Sequence, residues 1–342
     1  MLAMIRRALH HGLVATRIPP LAHRLLPRQR VTILMYHAVL SSPLAVPDWC
    51  FLDERLFRLQ LEYVARHFEV VPLSEAVRRL RQRTVRRPTA VLTFDDGFQS
   101  VHDVALPVLK RMGLPATVFV VTGLVGTDGT PWFCRLNRAL AGATRRSLEW
   151  REETFALDSG PARAQAGAVL QARLKELPHP MLLHELAAVV GALGDDPQRP
   201  IGPGSPYRVL GPRELKALTA GGLFEVGAHT ESHAILSLLP PAEREREVVE
   251  SVHAVTRLTH RTCRLFAYPN GRASDYDREV RRTLGELGVE AAVTSVAGAN
   301  VPTTPRLELR RHGVGADTEM AEFQLMVYHA LPGRWGGRSG MA

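Results

Sequence analysis

The chain has little lysine, little cysteine and no long apolar run, and the last two shortages each exclude a class of protein. Only three of its 342 residues are lysine, so arginine supplies nearly all of the positive charge behind a formal net charge of +9. Its three cysteines are far apart and odd in number, which argues against a disulfide scaffold and a cysteine zinc site. No apolar run reaches the roughly 18 residues of a membrane-spanning helix. A hydrophobic content of 45% nevertheless excludes a disordered chain.

The positive charge is concentrated in two short segments. Residues 1–30 contain six arginines and no acidic residue, and residues 78–87 contain six more arginines, so the remainder is nearly neutral. Neither segment adjoins the motifs described below, and we therefore expect no nucleic-acid partner. Residues 1–30 begin like a signal peptide, but Arg17 interrupts them and no clear cleavage site follows. We expect them to lie on an anionic membrane surface or to form an ordinary surface helix, which predicts a cytoplasmic or peripheral membrane location.

Strand-like and helix-like segments alternate along most of the chain. The alternation covers residues 31–126, stops over residues 127–212 and returns over residues 213–315. It predicts a parallel α/β architecture with helices outside the sheet. The interruption is rich in Ala, Leu, Arg and Glu and closes with breaker residues at 200–206, so we interpret it as a mainly helical insertion or cap. Residues 316–342 are assigned to a C-terminal tail.

Two adjacent carboxylates, Asp95 and Asp96, end the strand predicted at residues 89–94. Ligand sites in parallel α/β folds lie at the carboxyl ends of strands, which is where this pair falls. Neighbouring residues of an extended segment point in opposite directions, so one carboxylate can bind metal while the other faces substrate. A turn whose aspartates cap the next helix is the alternative.

Two further polar segments also follow predicted strands. His229 and His233 are four residues apart, and imidazoles at this spacing can converge on one metal ion together with a carboxylate. Surface histidines paired by chance are the alternative. The turn Tyr268-Pro269-Asn270 can present backbone N–H groups to a developing oxyanion, or it is an ordinary tight turn.

Three motifs in a fixed order carry a family resemblance. Thr-Phe-Asp-Asp-Gly at 93–97, His-Thr-Glu-Ser-His at 229–233 and Phe-Ala-Tyr-Pro-Asn-Gly at 266–271 together resemble the polysaccharide deacetylase family, also called carbohydrate esterase family 4 or the NodB homology domain. The resemblance extends over residues 31–315 with the insertion excluded. It implies a distorted (β/α) barrel that binds one divalent metal ion and hydrolyses N-acetyl or O-acetyl groups on sugars.

The resemblance also implies a role for each matching residue. Asp95 would be the catalytic base that activates water, and Asp96, His229 and His233 would be the metal ligands. The backbone N–H of Asn270 would stabilise the oxyanion. Zinc is the favoured ion for two imidazoles and a carboxylate, and other first-row ions remain open.

Two departures from the family's pattern lead to further hypotheses. The family's third motif usually reads Arg-x-Pro-Tyr, and its arginine holds the base, whereas this chain has Ala267 at that position. We expect Arg310, which follows a later strand, to replace that arginine. The family's late Leu-x-His motif, which supplies the general acid, is not recognisable, and His312 lies in the wrong context. His37 resembles a histidine of members with rearranged motif order and is expected to be the acid, with a buried structural histidine as the alternative.

Four residues are candidates for contact with the sugar. Trp132 and Phe133, at the mouth of the insertion, are able to stack on a sugar ring, although packing between cap and barrel explains them equally well. Tyr268 and Pro269, in the turn after a strand, are expected to line the substrate site.

These inferences favour a metal-dependent hydrolase that removes N-acetyl groups from an acetylated glycan, with O-acetyl groups left open. An amidohydrolase that acts on a non-sugar C–N bond is the nearest alternative, because the same metal and base would cleave that bond. A catalytically silent glycan-binding protein is the third. The identity of the glycan, the position of the acetyl group and the oligomeric state stay open.

Overall fold

The computed structural model describes residues 10, 12 and 29–329. The predicted membrane association of residues 1–30 therefore concerns a segment that lies almost entirely outside the described residues. Within the described part of the chain, no helix is both long enough and apolar enough to cross a bilayer.

The centre of the protein is a curled sheet of parallel strands. The strands of the described residues are β1 (Val31–Tyr36), β2 (Ala38–Leu40), β3 (Phe51–Asp53), β4 (Glu69–Val70), β5 (Thr89–Phe94), β6 (Ala116–Val120), β7 (Ser147–Trp150), β8 (Glu153–Ala156), β9 (Phe224–Ala228), β10 (Leu265–Ala267), β11 (Ala291–Val293) and β12 (His312–Gly313). The central sheet has the order β11-β10-β9-β6-β5-β1-β12, with β4 also paired to β5. The short pairs β2–β3 and β7–β8 lie outside it.

Helices surround this sheet. In the described residues they are α1 (Glu54–His67), α2 (Leu73–Arg81), α3 (Leu106–Met112), α4 (Trp132–Gly142), α5 (Gly160–Leu174), α6 (His179–Ala192), α7 (Pro212–Ala220), α8 (Pro241–Thr259), α9 (Arg278–Glu286) and α10 (Met320–Val327). A π-helical turn, Val101–Ala105, precedes α3. The alternation of strands and helices confirms the predicted parallel α/β barrel.

The local sequence explains the main elements. All six residues of β1 and all six of β5 are buried, as expected for apolar strands that are covered on both faces. Asp53 caps the N-terminus of α1. Its carboxylate accepts hydrogen bonds from the backbone N–H groups of Arg55 and Leu56, which have no partner within the helix. Its buried residues Phe57 and Leu61 are one turn apart and face the sheet.

The insertion forms a second apolar core on the rim of the barrel. Helices α4, α5 and α6 dominate residues 127–212, and the hairpin β7–β8 adds a β element that the composition did not indicate. Leu136 and Leu170 of the insertion share one buried cluster with Phe51 and Phe98 of the barrel. The insertion is therefore packed firmly onto the barrel at the carboxyl ends of its strands.

The chain after β11 joins the two edges of the sheet. Leu309 pairs with Val293 of β11, and three residues later His312 of β12 pairs with Leu34 of β1. Helix α10, in a stretch that the sequence assigned to a tail, packs on α1 beyond this junction. The segment between Leu309 and His312 is thereby held at the top of the barrel, where the site lies.

Candidate active site

Polar side chains from several strand ends converge on one concave pocket. Among the residues that line it are His37 after β1, Asp95 and Asp96 after β5, His229 and His233 after β9, Tyr268 and Asn270 after β10, and Arg311 before β12. The strands are parallel, so their carboxyl ends meet at this rim.

Asp96, His229 and His233 form the most compact cluster of the site. One ligand atom from each lies within 4.8 Å of the other two. His229 Nε2 is 3.5 Å and His233 Nε2 is 3.2 Å from Asp96 Oδ1. Two imidazoles and one carboxylate with open positions are a donor set that zinc and related ions accept.

The surroundings of this cluster fit a cation. Asp96 is 2% exposed, and neither of its oxygens has a hydrogen-bond donor among the described residues, although buried carboxylates are normally bonded. His229 Nδ1 lies 2.8 Å from the carbonyl oxygen of Ala267, so it donates its proton there and leaves Nε2 free as a ligand. Burial opposes the charge on Asp96, but His233 and His229 hold the pKa of its carboxyl well below its usual value. The residues present therefore fit a divalent ion.

The backbone is strained where these side chains are presented. Asp96, His233 and Asn270 have φ angles of 67°, 61° and 57°, in the left-handed region that non-glycine residues rarely occupy. Each such residue costs on the order of 1–3 kcal/mol, and such strain is commonly retained at functional sites.

Asp95 is held by an arginine. Arg311 Nη1 and Nη2 each donate to one Asp95 oxygen at 2.7 Å, in a buried bidentate pair. Arg311 also donates from Nε to the carbonyl oxygen of Thr294 at 2.8 Å, which fixes its orientation. Burial opposes the charge on Asp95, but the nearby positive charge of Arg311 dominates and its pKa is lowered.

The expectation for Arg310 is wrong by one position. Its exposed side chain lies against Gly298, and its N–H donates to Asn300 Oδ1 at 2.8 Å. Successive residues of an extended segment point to opposite sides, so only Arg311 enters the barrel.

His37 lines the same pocket as Asp95. Its ring packs against Trp49 with centroids 4.8 Å apart, and its buried Nδ1 has no hydrogen-bond partner among the described residues. Burial lowers the pKa of His37, although the charges of Asp96 and Asp95 act in the opposite direction. A histidine satisfied by the backbone would bond that nitrogen, so this geometry favours the functional alternative.

The three predicted residues of the turn after β10 differ in their contact with the site. The Asn270 N–H has no acceptor among the described residues, and Asn270 lines the pocket. Tyr268 also lines the pocket, but its hydroxyl donates to the carbonyl oxygen of Leu307 at 2.8 Å and its ring stacks on Tyr276. Pro269 is buried and does not belong to the pocket lining, so its predicted contact with substrate finds no support in the geometry.

Trp132 does not face the pocket. It is 5% exposed and belongs to the apolar core of the insertion, so the predicted stacking on a sugar ring is wrong and the packing alternative is correct. Its neighbour Phe133 does line the pocket, with its ring centroid 5.8 Å from that of His233.

Sequence reasoning missed Glu247, which organises the histidine loop. This 5%-exposed residue of α8 accepts the N–H groups of Glu231 and Ser232 at 2.8 and 2.9 Å and the Ser232 hydroxyl at 2.6 Å. The sequence did contain a signal for this role. Glu247 lies one helical turn before Ser251 on the apolar face of α8, where a carboxylate is unusual.

The strand ends of this (β/α) barrel gather a carboxylate that is held by an arginine and three residues that could hold a metal ion, at the rim where such barrels carry their sites. The sequence model of the family named polysaccharide deacetylase matches residues 82–292, more than half of the chain. The chain belongs to this family.

Known proteins with similar sequence or structure carry deacetylase names. The poly-β-1,6-N-acetyl-D-glucosamine N-deacetylase of Staphylococcus epidermidis is 26% identical over 91 residues, which are 26% of this chain and 31% of that relative. The deacetylase PplD of Streptococcus pyogenes, solved in complex with acetate, superposes with a TM-score of 0.58 at 18% identity over 88% of this chain and 99% of that one. IcaB from Ammonifex degensii gives a TM-score of 0.56 at 20% identity over 88% and 97%. These structures confirm the predicted fold type, and the chain spans about a third of the length of the curated relatives that it matches.

Proposed function

We propose that this protein is a metal-dependent deacetylase that removes an N-acetyl group from an amino sugar of a glycan. The observation that carries the proposal is the close placement, in one pocket, of an arginine-held Asp95 and a cluster of candidate metal ligands whose carboxylate, Asp96, has no hydrogen-bond donor among the described residues. Asp95 is thus placed for proton transfer and Asp96 for the binding of a cation.

Asp96, His229 and His233 would hold the ion, and a bound divalent ion, zinc for this donor set, would polarise the acetyl carbonyl and lower the pKa of water. Asp95 accepts the proton of the attacking water, because Arg311 keeps its carboxyl ionised at neutral pH. The Asn270 N–H donates to the oxygen on which negative charge develops. His37 donates a proton to the nitrogen of the departing amine, which is a poor leaving group without it.

A substrate panel with metal removal and restoration tests this proposal. The enzyme is freed of metal by a chelator, and acetate release is measured before and after addition of Zn²⁺ from an N-acetylglucosamine tetramer, an O-acetylated glycan and acetanilide. We expect zinc-restored release from the N-acetylated tetramer and none from acetanilide. Asp96→Ala is expected to resist restoration at the same zinc concentration.

The panel also distinguishes the alternatives. Release from acetanilide alone would contradict a sugar substrate and favour an amidohydrolase of wider scope. Release that is indifferent to the chelator would contradict the metal-dependent mechanism.

A further inference from the structure

The insertion places a lysine in the catalytic pocket. Lys175, one of only three lysines in the chain, lines the pocket together with Asp95 and the cation-ligand cluster. It follows the last turn of α5, where its N–H donates to the carbonyl oxygen of Gln171 at 3.1 Å. The remaining pocket residues of the insertion are Phe133 and Gln171, so Lys175 is its one charged contribution among the described residues.

A polar network fixes the end of α5 relative to the barrel rim. Gln171 Nε2 donates to Asn137 Oδ1 at 3.0 Å and to Asp48 Oδ2 at 3.4 Å. Asn137 Nδ2 donates to the same Asp48 oxygen. Asp48 belongs to the loop before β3, so the network ties α4 and α5 to the barrel and sets the position of Lys175.

Lys175 has no ion-pair partner among the described residues. The acids whose charges act on it are Asp48 and Asp275, and both are occupied by other donors. Asp48 accepts from Gln171 and Asn137, whereas Asp275 Oδ2 accepts from Asn270 Nδ2 at 2.6 Å and from the Arg272 N–H at 2.7 Å.

The surroundings leave the charge of Lys175 available to a ligand. Burial lowers the pKa of Lys175, and the charges of Cys50, Asp48 and Asp275 act in the opposite direction. Burial also raises the pKa of the Cys50 thiol, so Cys50 is neutral at physiological pH and does not pair with the ammonium group. A cation in a pocket without a bonded carboxylate attracts an anion.

We propose that Lys175 binds an anionic group of the substrate, a carboxylate or a phosphate, next to the sugar that is deacetylated. A half-buried ammonium group binds such a group as a point charge and gains more from it than a fully solvated lysine would. This inference rests on the proposed function and selects, within it, acidic glycans or sugar phosphates over neutral ones.

Kinetics on matched substrates test the inference. Acetate release is measured from a neutral N-acetylglucosamine tetramer, a hyaluronan tetrasaccharide with its carboxylates, and N-acetylglucosamine 1-phosphate. Lys175→Met is expected to raise KM about tenfold, or about 1.4 kcal/mol, for at least one anionic substrate, with kcat and the neutral substrate unchanged. Lys175→Arg is expected to keep most of the preference, and Lys110→Met, at an exposed position outside the pocket, all of it.

The pattern of losses decides the outcome. A loss confined to hyaluronan identifies a carboxylate, and a loss confined to the sugar phosphate identifies a phosphate. Equal losses on all three substrates, a fall in kcat with the neutral tetramer, or no change at all would overturn the inference.

A binding measurement separates this inference from the proposed function. The dissociation constants of hyaluronan tetrasaccharide, N-acetylglucosamine 1-phosphate and the neutral tetramer are compared in Asp95→Asn and in Asp95→Asn with Lys175→Met. Weaker binding of an anionic probe alone supports Lys175 even where the wild type releases no acetate. Unchanged binding of both anionic probes contradicts it even where the wild type is active.

Discussion

Asp95 and Asp96 are adjacent in the chain but have opposite surroundings. Asp95 receives two hydrogen bonds from Arg311, whereas Asp96 accepts none within the described residues and has Oδ1 near the two imidazoles. Asp96 has a positive φ and Asp95 does not, so the backbone changes conformation between the two carboxylates. The assignment of one carboxylate to proton transfer and the other to a cation follows from this difference.

Removal of Arg311 is expected to destabilise the protein. Arg311→Met would leave the carboxylate of Asp95 buried without its partner, at a cost of about 3–5 kcal/mol in the free energy of unfolding. Denaturation by urea measures this change. The adjacent Arg310→Met is the matched control, with an expected change within about 0.5 kcal/mol because its side chain is exposed. Equal effects of the two substitutions would contradict the ion pair.

His37 is expected to matter most for a poor leaving group. An amine must be protonated as it departs, whereas p-nitrophenolate leaves without a proton. His37→Gln should therefore lower kcat at least about 100-fold on an N-acetylated sugar and far less on p-nitrophenyl acetate. An equal loss on both substrates would indicate a structural role for His37.

The arginine that holds Asp95 illustrates the limit of sequence reasoning at single residues. The missing motif arginine and the Arg310-Arg311 pair after a late strand together indicated that a replacement comes from this segment. Which of the two enters the barrel depends on the register of β12, a strand of only two residues. No hydrophobic alternation is readable over so short a strand, so adjacent positions could not be distinguished.

At the scale of elements, the loop from His229 to His233 depends on α8. Glu247 accepts three hydrogen bonds from this loop. Glu247→Gln weakens this charge-assisted anchoring, and we expect zinc affinity to fall about tenfold, as is typical when supporting groups of a metal site are changed. Competition with a chromophoric chelator measures the affinity.

The control for this prediction is Glu250→Gln. Glu250 lies on the same helix but is exposed and does not contact the loop. An unchanged zinc affinity in Glu247→Gln would mean that the loop holds its shape without α8.

The elements of the barrel were predictable, whereas the contacts of the insertion were not. The apolar run at residues 89–94 predicted β5 at its observed bounds, and the alternation of segments predicted helices outside a parallel sheet. The insertion's role in the pocket depends on how α4 and α5 turn about their axes against the rim. For this reason the neighbours Trp132 and Phe133 face different surroundings. Trp132 faces the core of the insertion, and Phe133 faces the pocket.

At the scale of the whole molecule, the junction of the sheet edges contains two histidines in contact, of which His312 is buried and His329 is half-buried. His312 Nε2 lies 2.8 Å from His329 Nδ1, and His329 Nε2 lies 2.9 Å from the hydroxyl of Thr32. Burial lowers the pKa of His312 from 6.5 to about 4. Between pH 6.5 and about pH 4, His312 is therefore protonated in the unfolded chain and neutral in the folded chain.

A lower pH is therefore expected to reduce the free energy of unfolding through His312. The stability that the neutral His312 side chain contributes is present above pH 6.5 and is lost as the pH falls towards about 4. Between about pH 7 and pH 5 the loss amounts to roughly 2 kcal/mol in the free energy of unfolding. Urea denaturation of the metal-free protein measures it, and His312→Gln should reduce the pH dependence by that amount. The same pH dependence in both proteins would contradict the assignment.

The central claim is that Asp95 performs proton transfer in the hydrolysis of an N-acetylated sugar. Its most direct test is acetate release from an N-acetylglucosamine tetramer by the zinc-loaded wild type and by zinc-loaded Asp95→Asn. We predict that the wild type releases acetate and that kcat of Asp95→Asn is lower by about 100-fold to 10,000-fold at equal zinc content. Turnover by Asp95→Asn at the wild-type rate would contradict the claim.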